Sequence, residues 1–274
     1  KKALKNSIIA PDGHIIINCD SSQIEARVLA WLAGQTDVTS QFAKGEDVYS
    51  IFATKIYKKP ISKENPTERF VGKTCILGLG YGTGAAKLRH TLKTQPPGAD
   101  LTEEACKEIV DLYRETNDKI VELWSGCDYA LTCLKTWPKG KKSFHLGAQK
   151  CVAVDKMGIR LPNGLYIRYP NLRLDDGKNV YDSRKGPVSI WGGAVVENVV
   201  QALARIVVGE QMLKMSVQYR PVLTVHDAAV IVVPEAEKDQ ALAFITQVMS
   251  TPPDWAAGLP VACEAKYGVS YGRC

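Results

Sequence analysis

Two aspartates stand beside apolar segments, in a setting where carboxylates bind metal ions. Asp20 ends the run His14–Cys19, and Asp227 follows His226 inside the apolar stretch Val222–Val233. These patterns predict one strand before Asp20 and a hairpin with Asp227 at its tip. We expect both hairpin strands to be buried, so a charge at their junction requires a partner or a metal. If the hairpin lies beside the Asp20 strand, the carboxylates can bridge two Mg²⁺ ions about 3.5–4 Å apart, as in phosphoryl transfer.

Each aspartate also has a structural explanation when it is taken alone. Asp20 is followed by Ser21 and then by a helical pattern over Ile24–Leu32, so it suits a helix N-cap. Asp is a favoured turn residue, which suits Asp227 at a hairpin tip. The metal hypothesis therefore depends on the two residues coming together.

A third set of residues is spaced by four along a predicted basic helix that starts near Thr67. Arg69, Lys73, Leu77 and Tyr81 would form one helix face, with two cations followed by an apolar and an aromatic side chain. Such a face suits a nucleoside triphosphate, although a solvated helix end would look the same. Thr67 stands where a P-loop needs glycine, and the following glycines do not fit a dinucleotide-binding fingerprint.

Bulk properties exclude few classes of function. The 274 residues carry a formal net charge of +6, which fits an anionic partner but does not demonstrate one. The eight cysteines lack zinc-site spacing, so we expect free thiols in a reducing cytosol. The sequence shows no secretory signal, and we expect no membrane-spanning stretch.

The predicted elements give an α+β fold class, with a helical insertion in a core that contains antiparallel strands. A strand and a helix come first, and a helical middle follows, in which Asp100 and Glu103 resemble a capping box. Short strands are expected over residues 158–191, a long helix over Val196–Met215, and the hairpin comes last.

Together, the three chemical segments resemble the motifs of family A DNA polymerases, the group of bacterial DNA polymerase I and its phage relatives. Asp20–Arg27 is similar to motif A, Arg69–Gly82 to motif B, and His226-Asp227 to motif C, in the family's order. The resemblance implies a polymerase palm, an antiparallel sheet with packed helices, and mostly helical fingers. It places the palm at residues 1–45 and 150–274 and the fingers at 46–149.

The resemblance also implies roles for individual residues. Asp20 and Asp227 would bind two Mg²⁺ ions with help from the Ser21 carbonyl, and Lys73 would protonate the departing pyrophosphate. Residues implied to contact the nucleotide are Gln23, Glu25, Tyr49, Arg69, Lys73, Leu77 and Tyr81. Residues implied to contact DNA are Arg27, Gly82, Gln201 and His226. Glu25 would exclude ribonucleotides by walling off the 2′ position of the sugar.

Two positions depart from the family pattern. Leu77 stands where the family usually has an aromatic residue, so we expect slower incorporation and poor use of dideoxynucleotides. Ala228 replaces the usual acidic residue after the motif C aspartate, so metal binding would depend more on Asp20 and Asp227.

The resemblance implies primer–template DNA and dNTPs as partners, and leaves any processivity factor unknown. It favours a phage protein in the cytoplasm of a bacterial host.

The chain starts just before motif A, so a fragment that binds DNA without catalysis is one alternative. A single-subunit RNA polymerase is another, although a small residue would be typical at Glu25. A metal-dependent nuclease would not explain the basic helix face.

Overall fold

The computed structural model describes residues 2–274 and shows helices combined with antiparallel sheets, which confirms the predicted α+β class. The helices are α1 Lys2–Asn6, α2 Ile24–Ala33, α3 Thr36–Ala43, α4 Val48–Tyr57, α5 Pro66–Leu79, α6 Ala85–Thr94, α7 Glu103–Thr116, α8 Asp118–Lys135, α9 Gly192–Met215 and α10 Lys238–Met249. The strands are β1 His14–Ser21, β2 Phe144–Leu146, β3 Val152–Asp155, β4 Gly158–Arg160, β5 Tyr166–Ile167, β6 Arg173–Asp175, β7 Lys178–Ser183, β8 Gly186–Ser189, β9 Pro221–Val225, β10 Ala228–Pro234 and β11 Cys263–Gly268.

The chain divides into two compact units. The first combines the chain up to Glu25 with Ala202–Cys274, and the second is Ala26–Gln201. The first unit contains a four-stranded antiparallel sheet in the order β11-β1-β10-β9. The second contains α3 to α8 and two small antiparallel sheets, β2-β3-β4-β5 and β6-β7-β8.

The core of the first unit follows from the alternation of side chains along its two central strands. Ile15, Ile17 and Cys19 of β1 point to one face of the sheet, where they pack with alternate residues of β10 and with α10. Ile16 lies on the other face and packs with Val230. Full burial of each such Ile or Val side chain contributes about 1.5–3 kcal/mol. This burial fixes the register of β1, and hence the position of Asp20.

Strand β9 differs from what its apolar sequence predicts. It is an edge strand, and Val222, Leu223 and Val225 are exposed, whereas most of β10 is buried. The expectation that both hairpin strands are buried is therefore wrong for β9. Strand β10 has a neighbouring strand on each side, whereas β9 has a neighbour on one side only. The local sequence does not show which strand lies at the edge of the sheet.

In the second unit, α4 and α5 approach each other closely at Gly72. A Cβ atom there would collide with the backbone carbonyl of Tyr49 and would lie 3.0 Å from the Cβ of Ala53. Glycine thus lets the start of α4 lie directly against α5. The buried face of α5 consists of Val71, Gly72, Cys75, Ile76 and Leu79.

The start of α7 differs from the prediction. The N-cap of α7 is Thr102, whose hydroxyl accepts a hydrogen bond from the Ala105 N–H at 3.2 Å, so the expected capping box at Asp100 is wrong. Thr102 has the extended backbone of an N-cap, and Glu103 already lies in the first helical turn.

Helix α9 is long and apolar enough to cross a membrane by length and composition alone, contrary to the expectation that no such stretch exists. Its apolar window is 61% buried within the protein, as in the core helix of a folded domain.

Candidate active site

The first unit brings the two aspartates of the metal hypothesis to the same end of its sheet. Asp20 of β1 pairs with Ala228, the first residue of β10, so Asp227 stands beside it at the tip of the hairpin. The Ser21 N–H donates a hydrogen bond to the Asp227 carbonyl at 3.3 Å, which links the strand end to the turn. The condition that the hairpin lies beside the Asp20 strand is thus met.

The hairpin turn itself is shaped by His226. A two-residue hairpin turn needs a positive φ, and His226 has φ of 59°, a conformation in which His is enriched among non-glycine residues. Its imidazole Nδ1 lies 2.9 Å from Oδ1 of Asp227. The hydrogen bond and the charge of Asp227 raise the pKa of His226, and the charges of Glu25 and Asp20 raise it further.

The electrostatics of this end of the sheet are dominated by carboxylates. Loss of hydration raises the pKa of Asp20, and so do the neighbouring Asp227 and Glu264, whereas His226 acts in the opposite direction. Glu264 lies on β11, directly opposite Asp20 in the strand register. Two adjacent carboxylates repel each other unless a cation lies near them.

Few side chains at this end of the sheet are available to bind a metal ion. Across residues 2–274, no group of three or more His, Cys, Asp and Glu side chains is arranged to hold a metal ion. Asp20 and Asp227 therefore offer two side chains, and Mg²⁺ commonly uses one or two carboxylates together with water and substrate phosphates. The residues present fit such an ion.

Two further residues of the segment that resembles motif A also belong to the first unit. Gln23 lies between β1 and α2 with a positive φ of 54°, and Glu25 lies in the first turn of α2. Both side chains are half-buried.

In the second unit, the predicted four-spaced residues lie on the face of α5 opposite its core. Lys73 and Leu77 are exposed and Arg69 is half-buried, whereas Tyr81 follows the end of the helix. Arg69 is held by Asp47, with Nε 2.6 Å from Oδ2 and Nη2 3.1 Å from Oδ1.

Tyr49 lies in the first turn of α4, close to Arg69. Its ring is buried, and the Arg69 guanidinium stands 5.4 Å from the ring centre. The Arg69 side chain is therefore held both by a carboxylate and by an aromatic face.

The residues predicted to contact DNA lie in varied surroundings. Arg27 is buried, donates to the Phe42 carbonyl at 3.3 Å and lies over the Phe42 ring, so DNA contact through it would require this packing to open. Gly82 is half-buried with φ of 78°, and Gln201 is exposed on α9. His226 has a side chain that is 77% exposed.

Sequence reasoning missed two residues. Asp47, the partner of Arg69, has only its position before α4 as a signal, and acidic residues are common there. No local sequence pattern indicates Glu264. It lies close to Asp20 because β11 pairs with β1, and these two strands are far apart in the sequence.

Comparisons with known proteins show which proteins this chain is similar to. The sequence model of DNA polymerase family A matches residues 1–129. A DNA polymerase of Bacillus phage SP02 is 31% identical over 276 aligned residues, which cover 95% of this chain and 42% of that protein. DNA polymerase I of Rhizobium leguminosarum is 22% identical, over 98% of this chain and 24% of its own length.

A solved structure has a similar fold. It is the POL domain of Pol1 from M. smegmatis in complex with DNA primer-template and dNTP, with a TM-score of 0.64 and 18% identity. The match covers 100% of this chain and 43% of that one. The chain thus spans less than half the length of these similar proteins.

Proposed function

We propose that this chain, a relative of the family A DNA polymerases, carries the nucleotide-adding site of a template-directed DNA polymerase. The observation that carries the proposal is the meeting of Asp20 and Asp227 at one end of the sheet. In the proposed reaction, the 3′-hydroxyl of a primer attacks the α-phosphorus of a dNTP, and pyrophosphate leaves.

Asp20 and Asp227 would hold the divalent cations, with the Ser21 carbonyl as a further oxygen ligand. The mutual repulsion that raises the pKa of Asp20 is the kind of unbalanced charge that a bound cation relieves. Bound Mg²⁺ would supply Lewis-acid chemistry, by making a hydroxyl easier to deprotonate and by neutralising phosphate charge. Two ions are proposed, as the two-carboxylate arrangement allows.

The face of α5 would bind the triphosphate. Arg69 and Lys73 are the cations of that face, and Lys73, which is exposed to solvent, would give a proton to the departing pyrophosphate. Leu77 would contact the sugar and Tyr81 the templating site. Tyr49, whose ring lies beside Arg69, would contact the phosphates. Charge stabilisation of this kind, with positioning, is most of what phosphoryl transfer needs from a protein.

The remaining roles concern the choice of sugar and the contact with DNA. Glu25 would exclude ribonucleotides by walling off the 2′ position of the sugar. Gln23 would contact the nucleotide, and His226 would contact the primer end. Gln201, Gly82 and Arg27 would contact the DNA. We also propose the division into palm, at residues 1–45 and 150–274, and fingers, at 46–149.

Primer extension tests the proposed function. On a primed template with Mg²⁺ and four dNTPs, we expect the wild-type chain to extend the primer and Asp227→Ala to lose at least about a thousandfold in rate. Asp239→Ala, which removes a 90% exposed carboxylate from the same unit, is the matched control and should extend normally. Absence of extension by the wild type, with DNA still bound, would favour the non-catalytic alternative. Efficient use of ribonucleotides would favour an RNA polymerase.

A further inference from the structure

Asp47 and Arg69 are brought together by the packing of two helices. Asp47 is the residue immediately before α4, and Arg69 lies in the first turns of α5. The close approach at Gly72 brings the start of α4 against α5, so the two charged side chains face each other. Their side chains are 22% and 27% exposed, respectively. The pair is therefore shielded from much of the solvent that weakens surface ion pairs.

The contact uses one specific edge of the guanidinium. Arg69 donates to Asp47 through Nε and Nη2, at 2.6 and 3.1 Å, which is the side edge of the group. A guanidinium has five N–H donors in a fixed plane, so this contact leaves the two hydrogens of Nη1 and one of Nη2 for another ligand. The remaining end edge has the geometry that pairs with two oxygens of a phosphate.

Asp47 is itself held in place. The Ser50 hydroxyl donates to Oδ2 of Asp47 at 2.7 Å, the same oxygen that accepts from Nε of Arg69. Burial alone would raise the pKa of Asp47, but the hydrogen bonds from Arg69 and Ser50 outweigh it and hold the pKa below its ordinary value. The carboxylate is thus charged at neutral pH and has few rotamers open to it.

We propose that Asp47 is a positioning residue that fixes the Arg69 guanidinium so that its free edge binds the triphosphate of an incoming nucleotide. This inference rests on the proposed function, in which Arg69 is a triphosphate ligand. Asp47 fixes the plane of the guanidinium from the side, and the Tyr49 ring supports it from one face. An Arg side chain that is already ordered loses less conformational entropy when the nucleotide binds.

The sign of the effect separates positioning from simple electrostatics. A carboxylate near an anionic substrate repels it and partly neutralises the nearby arginine, so by charge alone its removal would strengthen binding. Removal of a positioning group would weaken binding, because Arg69 would then sample orientations in which it misses the phosphate. The two explanations predict opposite shifts in KM.

Asp47→Asn is the most informative variant, because the Asp47 side chain makes no capping hydrogen bond to α4 and Asn is also a favoured N-cap residue, so the helix should remain folded. In primer extension with the full chain, we expect the KM for dNTP to rise about five- to tenfold and kcat to change less than threefold, with the DNA affinity unchanged. Ser50→Ala, which loosens Asp47 without removing its charge, should raise KM in the same direction by a smaller factor.

Glu68→Gln is the matched control. Glu68 is adjacent to Arg69 on α5 and forms its own ion pair with Lys59 at 3.1 Å, so the variant removes an equal charge without touching Arg69. We expect its KM to stay within twofold of the wild type. In an Arg69→Ala background, Asp47→Asn should add no further loss, since Asp47 is proposed to act only through Arg69.

The ¹⁵Nε resonance of Arg69 gives a readout that does not depend on turnover. Its Nε–H should be protected from exchange in the wild type and should lose that protection in Asp47→Asn. An unchanged or lower KM in Asp47→Asn, or an equal rise in Glu68→Gln, would overturn the positioning role while an active wild type leaves the proposed function intact. A wild type that neither binds nor incorporates dNTPs would instead overturn the proposed function, and the positioning role with it.

Discussion

At the scale of single residues, the site combines groups that disfavour each other in the folded protein. Asp20 lies beside Asp227, with Glu264 opposite on the neighbouring strand. Partial loss of hydration, followed by the charges of these two carboxylates, raises the pKa of Asp20. At this proposed active site, function would therefore oppose stability, as it does at many active sites. Neither residue is explained by the packing of the core, because Asp20 is exposed and Asp227 lies in a turn.

Asp20→Asn should make the metal-free protein more stable at pH 7. A group whose pKa is raised by folding destabilises the folded state above its folded-state pKa and has no such effect below its unfolded pKa. We expect the Tm in chelator at pH 7 to rise by about 1–3 °C. The gain should shrink as the pH falls toward 3.8, the ordinary Asp pKa, where Asp20 becomes protonated in both states.

Thermal unfolding of the wild type and Asp20→Asn between pH 4 and pH 8 measures this effect. Asp239→Asn serves as the control, since its exposed carboxylate should leave the Tm unchanged. A Tm at pH 7 that is equal to or below that of the wild type would contradict the raised pKa of Asp20, which arises from lost hydration and from repulsion by its neighbours.

At the scale of elements, close helix packing sets the position of the α5 face that is proposed to bind phosphate. Gly72 allows α4 to approach α5, and this approach brings Asp47 and Tyr49 to Arg69. Gly72→Ala should lower the free energy of unfolding by about 1–3 kcal/mol, because the new methyl group has no space beside the Tyr49 carbonyl.

Gly78 lies on the same helix and supplies the comparison. A Cβ there would meet only the Thr83 hydroxyl at 3.8 Å, an ordinary contact. Gly78→Ala should be neutral or should stabilise the protein by up to about 1 kcal/mol, because alanine favours helix. Urea unfolding of the two variants measures the difference, and equal effects in both would contradict the account of the α4–α5 contact.

The sequence predicts the elements that carry the proposed site residues. Strand β1, helices α2 and α5 and the β9–β10 hairpin follow from local apolar periodicity and turn residues, so the positions of Asp20, Arg69 and Asp227 along the chain were predictable. The exposure of β9 was not, because it depends on the strand's place at the sheet edge.

Contacts between residues that lie far apart in the sequence could not be predicted from local patterns either. The ion pair of Asp47 with Arg69 spans 22 residues, and Glu264 reaches Asp20 through the pairing of the last strand with the first. Contacts of this kind are set by tertiary packing, which no short window of sequence contains. The family resemblance supplied the proposed roles of Asp20 and Asp227, and their closeness in space is a property of the fold.

At the scale of the whole molecule, the net charge of +6 bears on the proposed DNA partner. Neutralisation of DNA phosphates by Lys and Arg releases counterions, so the affinity should fall as salt rises. We expect the Kd for primer–template DNA to increase at least about tenfold between 50 and 200 mM salt, which corresponds to two or more phosphate contacts. Fluorescence anisotropy measures this dependence, and a Kd independent of salt would contradict a phosphate-binding surface.

The central claim is that Asp20 and Asp227 act as one catalytic unit. Single-turnover incorporation of one dNTP, measured for the wild type, Asp20→Asn, Asp227→Asn and the double variant, tests it most directly. We predict that each single variant loses at least about a thousandfold in rate and that the double variant is no slower than the worse single variant, as for residues that act together. Modest losses that multiply in the double variant would contradict the claim, since they would describe two independent carboxylates.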